Sequence, residues 1–139
     1  MSLKTSFIFN QKLLIVSLII ITVVGTTYYW LDNRKDVYQP LWVMASGFWF
    51  ITIIIGISLV IKKIRIGYMI SGLLAWTTFA FWILDNYSFV FHKSLIASEP
   101  SMNAIIRNFI GAAFAILAII ASHNGFHKIT SYQNKDRPA

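Results

Sequence analysis

Four apolar stretches, Leu13 to Leu31, Leu41 to Ile61, Ile66 to Leu84 and Ala104 to Ser122, fill most of the chain, and almost every charge falls between them. Each is close to the ~20 residues that an α-helix needs to cross a bilayer core of ~30 Å. With 57% hydrophobic residues, 12% charged residues and a mean hydropathy of +0.65, a soluble domain of 139 residues would hold far more apolar surface than it could bury. The expected fold class is therefore all-α, an integral membrane four-helix bundle built from two antiparallel helical hairpins. Residues 1–139 form a single transmembrane domain in this reading, and 123–139 form a polar cytoplasmic tail. The first stretch is long for a signal peptide and runs into Tyr28-Tyr29-Trp30-Leu31-Asp32 without a small-residue cleavage pattern, so it is read as a helix.

The cations fix an expected orientation. One side of an even number of crossings carries Lys4, Lys12, Lys62, Lys63, Arg65, Lys128, Lys135 and Arg137, with Asp136 as its only acid. The other carries Arg34, Lys35, Lys93 and Arg107, balanced by Asp32, Asp36, Asp85 and Glu99, so the net charge of +7 belongs to the first side. By the positive-inside rule both termini and the Lys62-to-Arg65 turn are cytoplasmic, in a plasma membrane. Topology accounts for the basic balance, so the expected partners are the lipid bilayer and other membrane subunits or further copies of the chain, with no nucleic acid. The absence of Cys excludes disulfides, thiolate metal sites and thiol redox chemistry.

The link between the second and third stretches is so short that these helices must be adjacent and antiparallel. Asp32-Asn33 and Asp85-Asn86 close the first and third stretches in similar contexts, a weak echo between the hairpins. Tyr28, Tyr29, Trp30, Tyr38, Trp42, Trp82 and Tyr87 gather at the outer side as an interfacial belt. Trp49 and Trp76 sit deeper, at matching levels, and packing within the bundle is their default role.

Small residues mark helix contacts. Gly111, Ala115, Ala118 and Ser122 recur along one face of the last helix, and Gly67, Ser71 and Ala75 along one face of the third. Faces of this kind let backbones approach closely, and the two are expected to meet inside the monomer.

Few residues offer chemistry. His123 and His127 have the spacing of two metal ligands on one helix face, but Gly125 between them is a plausible helix stop and no third ligand lies nearby, so they are weak metal candidates. Arg107 and Asn108 fall about one turn into the last helix, with Asp32, Asp85 and Glu99 on the same side as partners for an outer-face polar cluster. As a solvated pair at the interface, Arg107 would tolerate replacement by Lys. The first three helices hold no acid away from their ends, which argues against proton-coupled transport. An outer-face enzyme using Asp85, His92 and Glu99 is a minor reading, and neither catalytic residues nor a cofactor are expected. The sequence thus reads as a non-catalytic accessory or assembly subunit of a larger membrane complex, with a small oligomeric transporter or channel as the alternative.

Overall fold

The computed structural model describes residues 3–31, 38–91 and 101–135. Helices run over Leu3–Thr26 (α1), Tyr28–Leu31 (α2), Pro40–Ile61 (α3), Arg65–Phe91 (α4) and Met102–Lys135 (α5). Four segments among them are long and apolar enough to span a membrane, as expected. Their ends differ from the hydropathy boundaries. The first helix begins at Leu3 rather than Leu13, α4 continues past Leu84 to Phe91, and α5 passes through Gly125 to Lys135, so residues 123–135 continue the last helix. Hydropathy records the part of a helix that suits lipid, whereas the helix itself ends where its backbone is capped.

Each helix buries a seam whose members alternate three and four residues apart. On α1 these are Phe7, Asn10, Leu14, Ser17 and Ile21. On α4 they are Tyr68, Ser71, Ala75, Thr78, Trp82 and Asp85. The seam of α5 extends the small-residue face in both directions, from Ala104 and Asn108 to Gly125 and Ile129. A mean period of ~3.5 residues keeps one stripe facing its neighbours along the whole helix, as in coiled coils. The most extensive interfaces join α5 to α4 and α5 to α1, while α3 packs mainly on α4 and only lightly on α1. As a result α3 buries little besides Ile53, Gly56 and Val60.

The two small-residue faces do not simply meet one another. Gly67 lies against the α3 backbone at Leu59 and Val60, and Ser71 Oγ points at Gly56 of α3. The last helix instead receives the Tyr68, Gly72 and Trp82 side of α4: Gly111 accommodates the Trp82 ring, Gly125 the Tyr68 ring, and Ser122 Oγ donates to the Tyr68 carbonyl beside Gly72. A Cβ on Gly111 would fall 2.1 Å from a Trp82 ring carbon, so glycine is a steric requirement there.

The start of α1, the end of α5 and the turn between α3 and α4 share one end of the bundle. Lys128 Nζ donates to Ser6 Oγ, and Gln11 Nε2 donates to the Val60 carbonyl at 2.8 Å, a second donor for an acceptor at the end of α3. The turn is a Schellman closure, with Ile64 N donating to Leu59 O at 2.9 Å and Lys63 N to Val60 O at 3.0 Å. Lys63 occupies the left-handed position with φ 56°. This end carries Lys12, Lys62, Lys63, Arg65 and Lys128, and is called the basic end below. Short α2, the last turns of α4 and the first turn of α5 form the opposite end.

Candidate functional site

The main polar site lies at the end opposite the basic one. Its formation begins where α1 breaks: Thr26 and Thr27 turn their hydroxyls onto the carbonyls of Val23 and Val24, at 2.7 and 2.6 Å, competing with the regular helix ladder. The chain restarts as α2, whose first residue, Tyr28, reaches across to α4 and α5.

Tyr28 meets Asp85 and Asn86 from α4 and Arg107 and Asn108 from α5. The last four are buried, and Asn108 is fully enclosed. Asn108 is the hub. Its Nδ2 donates to Asp85 Oδ2 at 2.7 Å and to Asn86 Oδ1 at 2.8 Å, which uses both of its protons. Its Oδ1 accepts from Arg107 Nε and Nη2, each at 3.2 Å. The Tyr28 hydroxyl shares its one proton between Asp85 Oδ2 at 3.0 Å and Asn108 Oδ1 at 3.1 Å. The Arg107 guanidinium also stacks on the Tyr28 ring, 3.5 Å from its centroid, and Asn86 Nδ2 donates to the Ile105 carbonyl at 3.3 Å. A cation and an anion are thus held around one amide, with an aromatic face under the cation. Buried charges are tolerated when they are paired and hydrogen-bonded in this manner.

Of the outer-face cluster read from sequence, Asp85, Arg107 and Asn108 come together here, while Asp32 and Glu99, like His92, lie outside the described residues. Arg107 is not the solvated interfacial side chain expected, because it is only 5% exposed. Two members were missed. The aromatic belt pattern assigns Tyr28 to the interface, and the hydropathy boundary makes Asn86 the end of a helix. Continuing the α5 face one step back from Gly111 reaches Asn108, and continuing the α4 seam from Trp82 reaches Asp85, so periodicity held the signal for the helical members.

His123 and His127 both sit on α5 near the basic end, exposed, with ring centroids 4.6 Å apart in an edge-to-face arrangement. Gly125 does not interrupt the helix between them. Among the described residues no group of three or more His, Asp or Glu side chains is placed to hold a metal.

Beside the polar cluster, a groove of about 640 Å³ opens between α3 and α4. Its walls include Trp42, Trp49, Leu74, Phe81 and Trp82, and Asp85 lines one end. Trp49 forms part of its back wall: the ring covers Gly25 of α1, and Nε1 donates to Thr78 Oγ1 of α4 at 2.8 Å. Trp49 therefore ties the loosely packed α3 to both neighbours. Trp76 is exposed instead and packs edge-on against Phe79, so the two deep tryptophans do not share a role.

No protein-family model, curated protein or solved structure matches this chain. Its class is defined by its own features: the described residues form an all-helical protein with four candidate membrane spans and a buried polar cluster at one end of the bundle.

Proposed function

We propose that this protein is a non-catalytic, four-span membrane protein with its basic end in the cytoplasm, serving as an accessory or assembly subunit of a larger membrane complex. The observation that carries the reading is the outward face of α3. Leu41, Met44, Phe48, Ile51 and Ile55 alternate three and four residues apart, and all are exposed, Leu41 at 76% and Met44 at 73%. This is the same period that packs the interior seams, here with large knobs and, among the described residues, no helix packed over them. Val43, Ile54 and Ile61 are exposed as well, so the open surface of α3 is largely apolar and suits a partner helix as it suits lipid.

The polar cluster supports the same reading. Most of its donors and acceptors are turned on one another, and toward the basic end the buried seams combine Leu14, Leu18, Ile21, Ala115 and Ala118 with the hydroxyls of Ser17, Tyr68 and Ser71. Such a cluster suits a pin that joins α2, α4 and α5. The clustering of Lys12, Lys62, Lys63, Arg65 and Lys128 supports the orientation.

The test is purification in mild detergent from native membranes, comparing the unaltered chain with a Met44→Ala/Ile51→Ala/Ile55→Ala variant. A defined membrane protein co-purifies with the former and is lost from the latter, while the variant still accumulates. Recovery of the unaltered chain alone would contradict the proposal. Orientation is tested separately: a Cys at Ile64 is labelled only from the cytoplasm and one at Ser94 only from outside.

A further inference from the structure

We infer that the basic end of a second groove, between α4 and α5, binds an anionic phospholipid, with Arg65 facing the phosphate and one acyl chain lying along the groove. This groove has a volume of about 500 Å³, and no residue of α3 lines it. Met69, Trp76, Ile119 and Ile120 form its apolar walls, with His123 and Phe126 toward the basic end. Along α4 the lining runs from Tyr68 to Trp76. At the rise of an α-helix this is roughly 12 Å, most of one hydrocarbon leaflet at about 15 Å. Met69 and Trp76 are each 57% exposed, so the groove opens sideways from the bundle, within the membrane spans of both helices.

The charge beside the groove selects the occupant. Arg65 is the first residue of the span Arg65–Tyr87, which puts it at the depth of lipid headgroups. Its guanidinium lies over the Phe126 ring, 4.2 Å from the centroid, and Phe126 belongs to the groove wall, so the cation is held beside the basic end of the trough. The aromatic face orients this planar group without neutralising it. Arg65 is exposed, and the one acid among the described residues, Asp85, lies at the opposite end of the bundle. Lys62 and Lys63 in the preceding turn and Lys128 on α5 carry the same sign as Arg65. A phosphodiester complements this set in charge and offers two oxygens to the guanidinium fork. A choline or ethanolamine headgroup brings its own cation into the same field, whereas phosphatidylglycerol carries only the negative charge. The inference rests on the membrane-spanning reading but not on the accessory-subunit role, since the groove and the Met44, Ile51 and Ile55 face belong to different helices.

Trp76 supplies the assay, because it is the one tryptophan of the chain that lines this groove. The full-length protein and its Trp76→Phe variant are placed in dioleoylphosphatidylcholine vesicles containing a small fraction of lipid with brominated acyl chains, which quench tryptophan on contact. The difference between the two proteins is the Trp76 signal. Brominated phosphatidylglycerol should quench that signal about two- to fivefold more effectively than brominated phosphatidylcholine at equal mole fraction, the factor expected of a partly solvated ion pair. Arg65→Gln should abolish the preference. Lys12→Gln removes the same charge from the same end, but α1 contributes no residue to the groove, so the preference should persist. The two variants thereby separate a site at Arg65 from the general attraction of a basic membrane face for anionic lipid. Quenching of the Trp76→Phe protein reports insertion independently. In an inserted protein, equal quenching of Trp76 by the two lipids, or the same loss of preference from Arg65→Gln as from Lys12→Gln, would overturn the inference. So would a Trp76 that neither lipid quenches, as in a dimer packed through this groove, whereas a complete lack of quenching in both proteins would overturn the membrane-spanning reading with it.

Discussion

Asn108 donates to Asp85 Oδ2 at 2.7 Å while its own Oδ1 faces the Arg107 guanidinium, so a neutral amide mediates between an anion and a cation that belong to different helices. The position has no equivalent substitute: a donor pair must point to α4 and an acceptor to Arg107 and Tyr28 at once.

Asn108→Leu should therefore lower the stability of the bundle by about 3 kcal/mol, the scale of leaving buried charged partners without their hydrogen bonds. The readout is unfolding in mixed micelles. Asn86→Ala, which removes one acceptor and a long 3.3 Å bond to Ile105 O, should cost about 1 kcal/mol in the same assay. A smaller loss for Asn108→Leu than for Asn86→Ala would remove Asn108 as the hub.

Arg107→Lys should fail to preserve the cluster, contrary to the expectation for a solvated interfacial cation. Arg107 uses two nitrogens on Asn108 Oδ1 and lays its planar group on the Tyr28 ring. Lysine reproduces the charge but neither the fork nor the stack, so a loss of about 1–2 kcal/mol follows. Unchanged melting and accumulation of Arg107→Lys would show that only charge matters there.

Gly111→Ala and Gly47→Ala form a paired test of packing. A methyl at Gly111 meets Trp82 ring carbons at 2.1 and 2.5 Å and should destabilise the bundle by about 1–3 kcal/mol. At Gly47 nothing lies within 4 Å, and the gain in helix propensity should stabilise by up to about 1 kcal/mol. The two variants should move melting temperature in opposite directions.

Lys63→Gly should stabilise the α3–α4 turn by about 0.5–1 kcal/mol, because a side chain at φ 56° is strained in a closure that favours glycine. Thermal melting of the variant checks this, and a fall in stability would place an unrecognised role on the Lys63 side chain.

Much of the fold was legible because its main determinants are periodic. Hydropathy located all four long helices, and the spacing of Gly111, Ala115, Ala118 and Ser122 marked the face that α5 buries. The ends of α1, α4 and α5 were not legible, since polar residues such as Gln11, Asn86 and His127 continue a helix while ending its apolar stretch. The polar cluster was legible in part. Arg107, Asn108 and Asp85 stood out as polar residues near spans, but Tyr28 depends on the break after Thr26, which arises from threonine hydroxyls competing locally for carbonyls. The pairing of faces was misread because α4 presents two sides: Gly67 and Ser71 serve α3, while Tyr68, Gly72 and Trp82 serve α5.

The accessory-subunit account is tested most directly by photocrosslinking in intact native membranes from benzoylphenylalanine placed at Ile51, on the exposed face of α3. The account predicts one dominant adduct with a different membrane polypeptide, absent when the probe stands at the buried Ile53 of the same helix. Adducts with lipid alone, or only with a second copy of this chain, would contradict it.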